Sequence, residues 1–437
     1  MYQKAAKELF AFIENSPSPF HVIDNMKRML NEAGFIELRE NDRWNLKKGN
    51  RYYVTRNDSS IIAFAIPDGT YGGFQMIASH SDSPTFRIKE NGEMTVENLY
   101  TKLNVEKYGG MLMAPWFDRP LSIAGRVIVR DGNTIKKKLV SIDRDLVLIP
   151  NVAIHMNRDI NHGYKYQPQI DMLPLFGESD KKGKLLRLIA DQLGIDEDQI
   201  IGHELSLYNR MKGTIWGAEQ EFISCTKLDD LECAYSSIKG LIHSKNEKNI
   251  TVCCVFDNEE VGSSTKQGAA STFLRDTLTR INANLGYTRE DYLSRLAGSF
   301  MLSADNGHAV HPNHPEKADP SNRPKMNGGI LIKHSANQKY TTDAVSAAIL
   351  RMICQKAKVP YQDFLNHSDI PGGSTLGNLS NMQVAVPTAD LGVAQLSMHS
   401  PYETGGVKDV YYLEQMMKIF YNTEICLNED GDFQMDV

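Results

Sequence analysis

Five places in the chain bring acidic and histidine side chains to the ends of apolar runs. The first is Ser79-His80-Ser81-Asp82-Ser83-Pro84. An imidazole at a strand end can ligate a metal through one ring nitrogen. A carboxylate two residues on can take the other ring N–H and so fix tautomer and orientation. Alone, the pair reads more readily as a structural histidine packed for shape. The second, Lys227-Leu228-Asp229-Asp230-Leu231, opens a helical run with two acids. They suit either a helix N-terminus or a carboxylate that bridges two metals. The third, Phe256-Asp257-Asn258-Glu259-Glu260-Val261-Gly262, follows a valine-rich run. Its acids repel one another, and a cation would offset that repulsion. One glutamate would then ligate while its neighbour works on water; the alternative is an exposed acidic turn. The fourth, Ser303 to His314, sets Asp305 after an apolar strand and adds His308, His311 and His314. The fifth is Leu396-Ser397-Met398-His399-Ser400, followed by Glu403.

Together these residues supply two strand-end histidines and several carboxylates. That nitrogen–oxygen set suits zinc, cobalt or manganese, with a coordination position left open for water. Other chemistries find no foothold. His203-Glu204 lacks the second histidine of H-E-x-x-H, Gly372-Gly373-Ser374-Thr375-Leu376 breaks the nucleophile-elbow pattern, and no phosphate-binding glycine loop is present.

Such residues must be brought together by the elements around them. Strand patterns at Tyr52–Thr55, Ile61–Ile66, Gly73–Ser79, Ile250–Phe256 and Phe300–Ala304 alternate with helical patterns at His21–Ala33, Ala269–Leu285 and Thr342–Lys356. A helix also opens the chain, with Ala5, Leu9, Phe12 and Ile13 at helical spacing until Ser16-Pro17-Ser18-Pro19 breaks it. The alternation predicts an α/β fold, a mixed, largely parallel sheet flanked by helices, whose sites lie beyond the strand C-termini. Between about 95 and 217 short β segments dominate, among them Ala124–Val129 and Leu139–Ile142. The expected organisation is a discontinuous domain, 1–94 and 218–437, interrupted by a β-rich insert, 95–217.

At 437 residues, 41% hydrophobic and 23% charged, the chain has material for a large core. A net charge of -6 argues against general nucleic-acid binding. Six cysteines without a C-x-x-C pair read as free thiols of a reducing compartment. No apolar stretch reads as a membrane span or a secretory signal, so the expectation is a cytoplasmic protein with no membrane or nucleic-acid partner.

At these residues the sequence closely resembles the aspartyl aminopeptidase family of dizinc peptidases. The likeness runs along nearly the whole chain. It includes Ser16-Pro17-Ser18-Pro19-Phe20-His21, the His80 and Glu259-Glu260 motifs, Trp116-Phe117-Asp118-Arg119, Leu121 to Val127, and His308-Ala309-Val310-His311-Pro312-Asn313. The resemblance implies a metallo-aminopeptidase with two divalent ions per subunit, acting on small peptides and preferring an acidic first residue. It implies that His80 and Asp305 hold one metal, that Glu260 and His399 hold the other, and that Asp229 bridges them. Glu259 would be the general base and Asp82 the partner that orients His80. The insert would be a dimerisation domain whose His155 reaches a partner subunit's active site, in a homo-oligomer of dimers assembled into a dodecamer. Lys333 would lie near the substrate's acidic side chain. Two departures stand out: many relatives carry Leu-Asp-Asn where this chain has Leu228-Asp229-Asp230, and many carry a basic residue near Tyr402, which makes Tyr402 a second candidate substrate contact. The same metal centre could also serve an N-acyl amino acid deacylase, or persist in a non-catalytic assembly or cargo protein.

Overall fold

The computed structural model describes residues 1–436 and arranges most of its strands in two sheets. The larger has 13 strands. Its centre is a parallel set in the spatial order Ile250–Phe256, Phe74–His80, Phe300–Ala304 and Thr388–Leu396. These are the unbroken apolar runs of the sequence, and every residue of Ile250–Phe256 is buried, as a strand covered on both faces requires. Cys253 and Val255 join one core together with Ile77 and Leu302. Val252, Cys254 and Phe256 join the other with Met76 and Ala78. Antiparallel strands extend both edges, Arg51–Arg56 and Ser60–Ala65 on one side, Glu403–Gly406 and Phe222–Cys225 on the other. Helices Tyr2–Glu14, Leu228–Ile242, Ala344–Ala357 and Val407–Asn422 pack into the first core, and Phe273–Asn284 and Arg289–Ala297 into the second. The fold is therefore the α/β class expected, a mixed sheet with a parallel centre flanked by helices.

Local chemistry sets the helix ends. Pro19 is the first residue of Pro19–Glu32, where its missing N–H is not needed, and Gly34 takes a φ of +81° just past the end. The helix expected from Ala269 begins only at Phe273, because Gly268 and Ser271 form turns first. All six cysteines are free and five are buried, as small core hydrophobes; Cys426 is exposed. Among the described residues no helix is long and apolar enough to cross a membrane.

The second sheet has six antiparallel strands in the order Thr134–Ser141, Leu121–Asp131, Ile200–Asn209, Thr85–Val96, Tyr100–Tyr108 and Leu175–Glu178. It closes on its own core of Phe86, Leu103, Val105, Ile123, Val127, Leu205 and Leu207. Its limits differ from those read in the sequence. It begins at Thr85 rather than 95, and Thr214–Trp216 already pairs with Phe222–Cys225 of the large sheet. The change of texture near 95 marks where short β segments multiply, whereas the chain crosses over at Ser83-Pro84, directly after His80. The two sheets are also pinned together at the proline-rich motif. The Arg126 guanidinium lies 4.1 Å over the Phe20 ring and donates to the Asn57 carbonyl at 2.7 Å.

Candidate active site

Register brings the chemistry to one edge of the large sheet. His80 is the last residue of its strand and pairs with Phe256, the last residue of the neighbouring one. The His80–Asp82 turn and the Asp257–Glu260 loop therefore leave the sheet side by side. Asp305 follows Ala304 on the other flank of the His80 strand, and helix Leu228–Ile242 starts with its acids aimed at the same place. A helix N-terminus favours negative charge there.

Three ligand groups form from these residues, each with donor atoms within 4.8 Å of one another: His80, Asp229, Asp230 and Asp305; His80, Glu259 and Glu260; and Asp229, Glu260 and His399. Asp229 lies between the histidines, with Oδ1 3.6 Å from His80 Nε2 and Oδ2 3.4 Å from His399 Nε2. Glu260 Oε2 is 3.3 Å from the same His399 nitrogen. The other ring nitrogen of His80, Nδ1, faces the carbonyl of Asp82 at 3.0 Å and its carboxylate at 3.3 Å. Asp82 also accepts the backbone N–H groups of Glu259 and Glu260, at 3.1 and 3.2 Å.

The site concentrates buried negative charge. Asp229 Oδ1, Asp230 Oδ1 and Glu260 Oε1 are buried without a hydrogen-bond partner, and orphaned carboxylate oxygens are costly to bury. Burial pushes the Glu259 carboxyl up to about 8 and Asp305 up to about 6, and drives Glu260 and Asp230 well above the ordinary range. Burial acts on Asp229 too, but pairing with His399 and His80 holds it below that range. Burial would lower His80, yet Asp230, Asp229 and Asp82 keep it well above 6.5. Unpartnered hard oxygens converging with two imidazoles fit a zinc centre, and the residues present therefore suit the metal.

The remaining candidates fall in different places. Lys333 is 2% exposed, with Nζ 3.8 Å from Asp305 Oδ1 and 5.2 Å from the Tyr340 ring centre, so it belongs to the site and not to the surface. The Tyr402 hydroxyl donates to the Lys212 carbonyl at 2.8 Å and lies 3.0 Å from the Thr214 hydroxyl. His155 is exposed in a turn of the second sheet's domain, outside the ligand groups. Two contributors escaped the sequence reading. Asp230, noticed only as a departure, joins the His80 group. Glu403, noticed only as a neighbour of His399, accepts the backbone N–H of Asp229 at 3.0 Å and of His399 at 2.8 Å. Its position four residues after His399 was the available signal.

A buried carboxylate and imidazole cluster at the C-terminal ends of parallel strands defines a metal-dependent hydrolase. The sequence model described as aminopeptidase I zinc metalloprotease (M18) matches residues 12–421. A probable M18 family aminopeptidase 2 of Clostridium acetobutylicum is 49% identical over 425 residues, 95% of this chain and 98% of the relative. A chain of the Ape4 and Nbr1 complex superposes with a TM-score of 0.93 at 35% identity, covering 96% of this chain and 86% of that one. The mApe1 dodecamer of S. cerevisiae gives 0.85 at 28%, covering 96% and 97%. The chain belongs to the M18 family of zinc metallo-aminopeptidases, hydrolases of peptide bonds, and the deacylase and cargo readings give way to that activity.

Metal and protons compete for this site. Burial pushes the Glu259 and Glu403 carboxyls up to about 8 from an ordinary 4.5, and Asp305 up to about 6 from 3.8. The folded state thus binds more protons than the unfolded one from about pH 4.5 to about pH 8, and stability falls as pH rises through that window. His80 and His399, both raised above 6.5, act in the same direction. Bound metal displaces those protons. The thermal midpoint of chelator-stripped protein should therefore fall between about pH 5 and about pH 8, while the increase on adding zinc should grow. A zinc-induced increase that stays flat across this range would contradict the account.

Proposed function

We propose that this aminopeptidase carries two divalent ions per subunit, zinc foremost, and removes acidic N-terminal residues, Asp or Glu, from small peptides. The observation that carries the reading is Asp229, with one oxygen toward each histidine and Oδ1 unpartnered. His80 and Asp305 would hold one ion, Glu260 and His399 the other, and Asp229 both. When bound, such a pair lowers the pKa of a water and polarises the scissile carbonyl. Glu259, whose backbone is fixed by Asp82, takes the proton from the attacking water on its carboxylate and returns it to the leaving amine nitrogen. Asp82 keeps the His80 ring in one orientation.

Specificity would come from the positive side of the site. Lys333 would pair with a substrate carboxylate. Beside it opens a cavity of about 480 Å³ lined by His308, His311, His314 and Phe364 and by no Asp or Glu. The second sheet's domain, residues 95–217 in the sequence reading, would mediate dimerisation and lend His155 to the active site of a neighbouring copy. Assembly of such dimers into a dodecamer is supported by the likeness to the mApe1 dodecamer. The composition and free thiols support a cytoplasmic setting.

A panel of Asp-, Glu-, Leu- and Lys-reporter substrates tests the reading, run on metal-stripped and zinc-restored enzyme. Zinc should restore activity, with acidic residues preferred. Lys333→Ala should cut the acidic-to-neutral ratio of kcat/KM by about tenfold or more, the worth of one charged hydrogen bond. An unchanged ratio would remove Lys333 from the pocket.

A further inference from the structure

The segment that leaves the second sheet at Tyr108 runs straight into the metal cluster. Tyr108 ends the strand Tyr100–Tyr108 and is buried. Its hydroxyl donates to Asp82 Oδ2 at 2.5 Å and accepts from the Asn258 side-chain amide at 2.9 Å. Asp82 is fully buried, and its two oxygens meet the Tyr108 hydroxyl, the N–H groups of Glu259 and Glu260, and His80 Nδ1. Asn258 in turn accepts from Thr265 and Gln267, both at 2.8 Å. One hydroxyl from the second sheet therefore closes the network that sets the loop of both glutamates and the ring of His80.

The next residues press on the same centre. Gly109 has a φ of +77°, and a Cβ there would lie 3.1 Å from the Glu260 Cβ. The Leu112 N–H donates to the His399 carbonyl at 3.1 Å. Glycine at 109 allows this approach, both in conformation and in space.

We infer that Tyr108 is a positioning residue for catalysis, holding Asp82 so that Glu259, Glu260 and His80 keep their working orientations, and that the second sheet thereby forms part of the active site. The inference rests on the roles proposed above for Glu259, Glu260 and His80. Burial near Asp82 and Asp257 drives the phenol far above its ordinary 10, so it remains a proton donor throughout the working pH range. Tyr108→Phe keeps the ring, over which Arg87 is stacked at 4.0 Å. It leaves Asp82 Oδ2 one donor short and the Asn258 amide without its acceptor.

The test uses Co(II)-substituted full-length enzyme. Tyr108→Phe should lower kcat by about 10–100-fold, the usual effect of losing a partner behind a metal site, with KM changed by less than about twofold. The Co(II) d–d bands should shift and Co(II) affinity should weaken. Gly109→Ala, which leaves the hydroxyl in place but crowds Glu260, should shift the same bands. Arg87→Lys, which thins the packing on the Tyr108 ring but keeps the positive charge that acts on Asp257, should leave them unchanged. Wild-type kcat and spectrum in Tyr108→Phe would overturn the inference while leaving the metal centre standing. A wild-type protein that takes up no Co(II) would sink the metal centre itself.

Discussion

Glu259→Gln should leave zinc content at the wild-type level and lower kcat on the order of 10³-fold, within the range general acid–base catalysis supplies. The substitution is nearly isosteric. The Glu259 backbone N–H still reaches Asp82, so the loop that carries Glu260 keeps its anchor. What disappears is a carboxylate able to accept a proton from water and return it to the amine. Both proton transfers use the one side chain, so an outside base would have to replace it twice. Zinc measured by atomic emission, beside kcat and KM, separates the possible roles. Loss of metal would make Glu259 a ligand, and activity within about tenfold of wild type would place the base elsewhere.

Much of this arrangement was legible in the residues because it sits where strands end. His80, Asp257 to Glu260 and Asp305 each follow an unbroken apolar run, and such runs become central parallel strands whose C-terminal edges align. Asp229 was legible for another reason, since acids at a helix start mark an N-terminus aimed at the site. Lys333 was different. Base rates put lysines at the surface, and nothing local in Leu331-Ile332-Lys333 reveals that a buried Asp305 pairs with it. Tyr108 left no trace at all. It lies in a strand of the other sheet, and its contacts with Asp82 and Asn258 exist only once the two sheets pack. The boundary near 95 failed for a similar reason: Thr85–Val96 reads as a continuation of the preceding strands until its pairing partners, Tyr100–Tyr108 and Ile200–Asn209, are known.

Asp229→Asn should have the largest effect on metal itself. Each Asp229 oxygen faces a different histidine, and the residue appears in two of the three ligand groups. Asparagine keeps the shape and the backbone bond to Glu403. It replaces one oxygen with an NH₂ that points donors at a cation, and it removes a carboxylate that pairing with His399 and His80 holds below the ordinary range. Zinc affinity should drop by more than the about 10–100-fold typical of outer partners, and turnover should vanish with it. The protein should nevertheless fold, because relief of repulsion with Asp230, Glu260 and Asp305 partly offsets the lost pairing with His80 and His399 when metal is stripped. The thermal midpoint of stripped Asp229→Asn should therefore lie below that of stripped wild type, and zinc should raise it far less. Asp230→Asn provides the contrast. Asp230 joins only the His80 group, and its Oδ2 accepts the His80 backbone N–H at 3.1 Å. An asparagine oxygen can keep that bond, so zinc affinity should stay within about tenfold of wild type. Equal loss of zinc in the two variants would mean that the ions are held by the pair of acids together, and Asp229 would lose its place as the shared ligand.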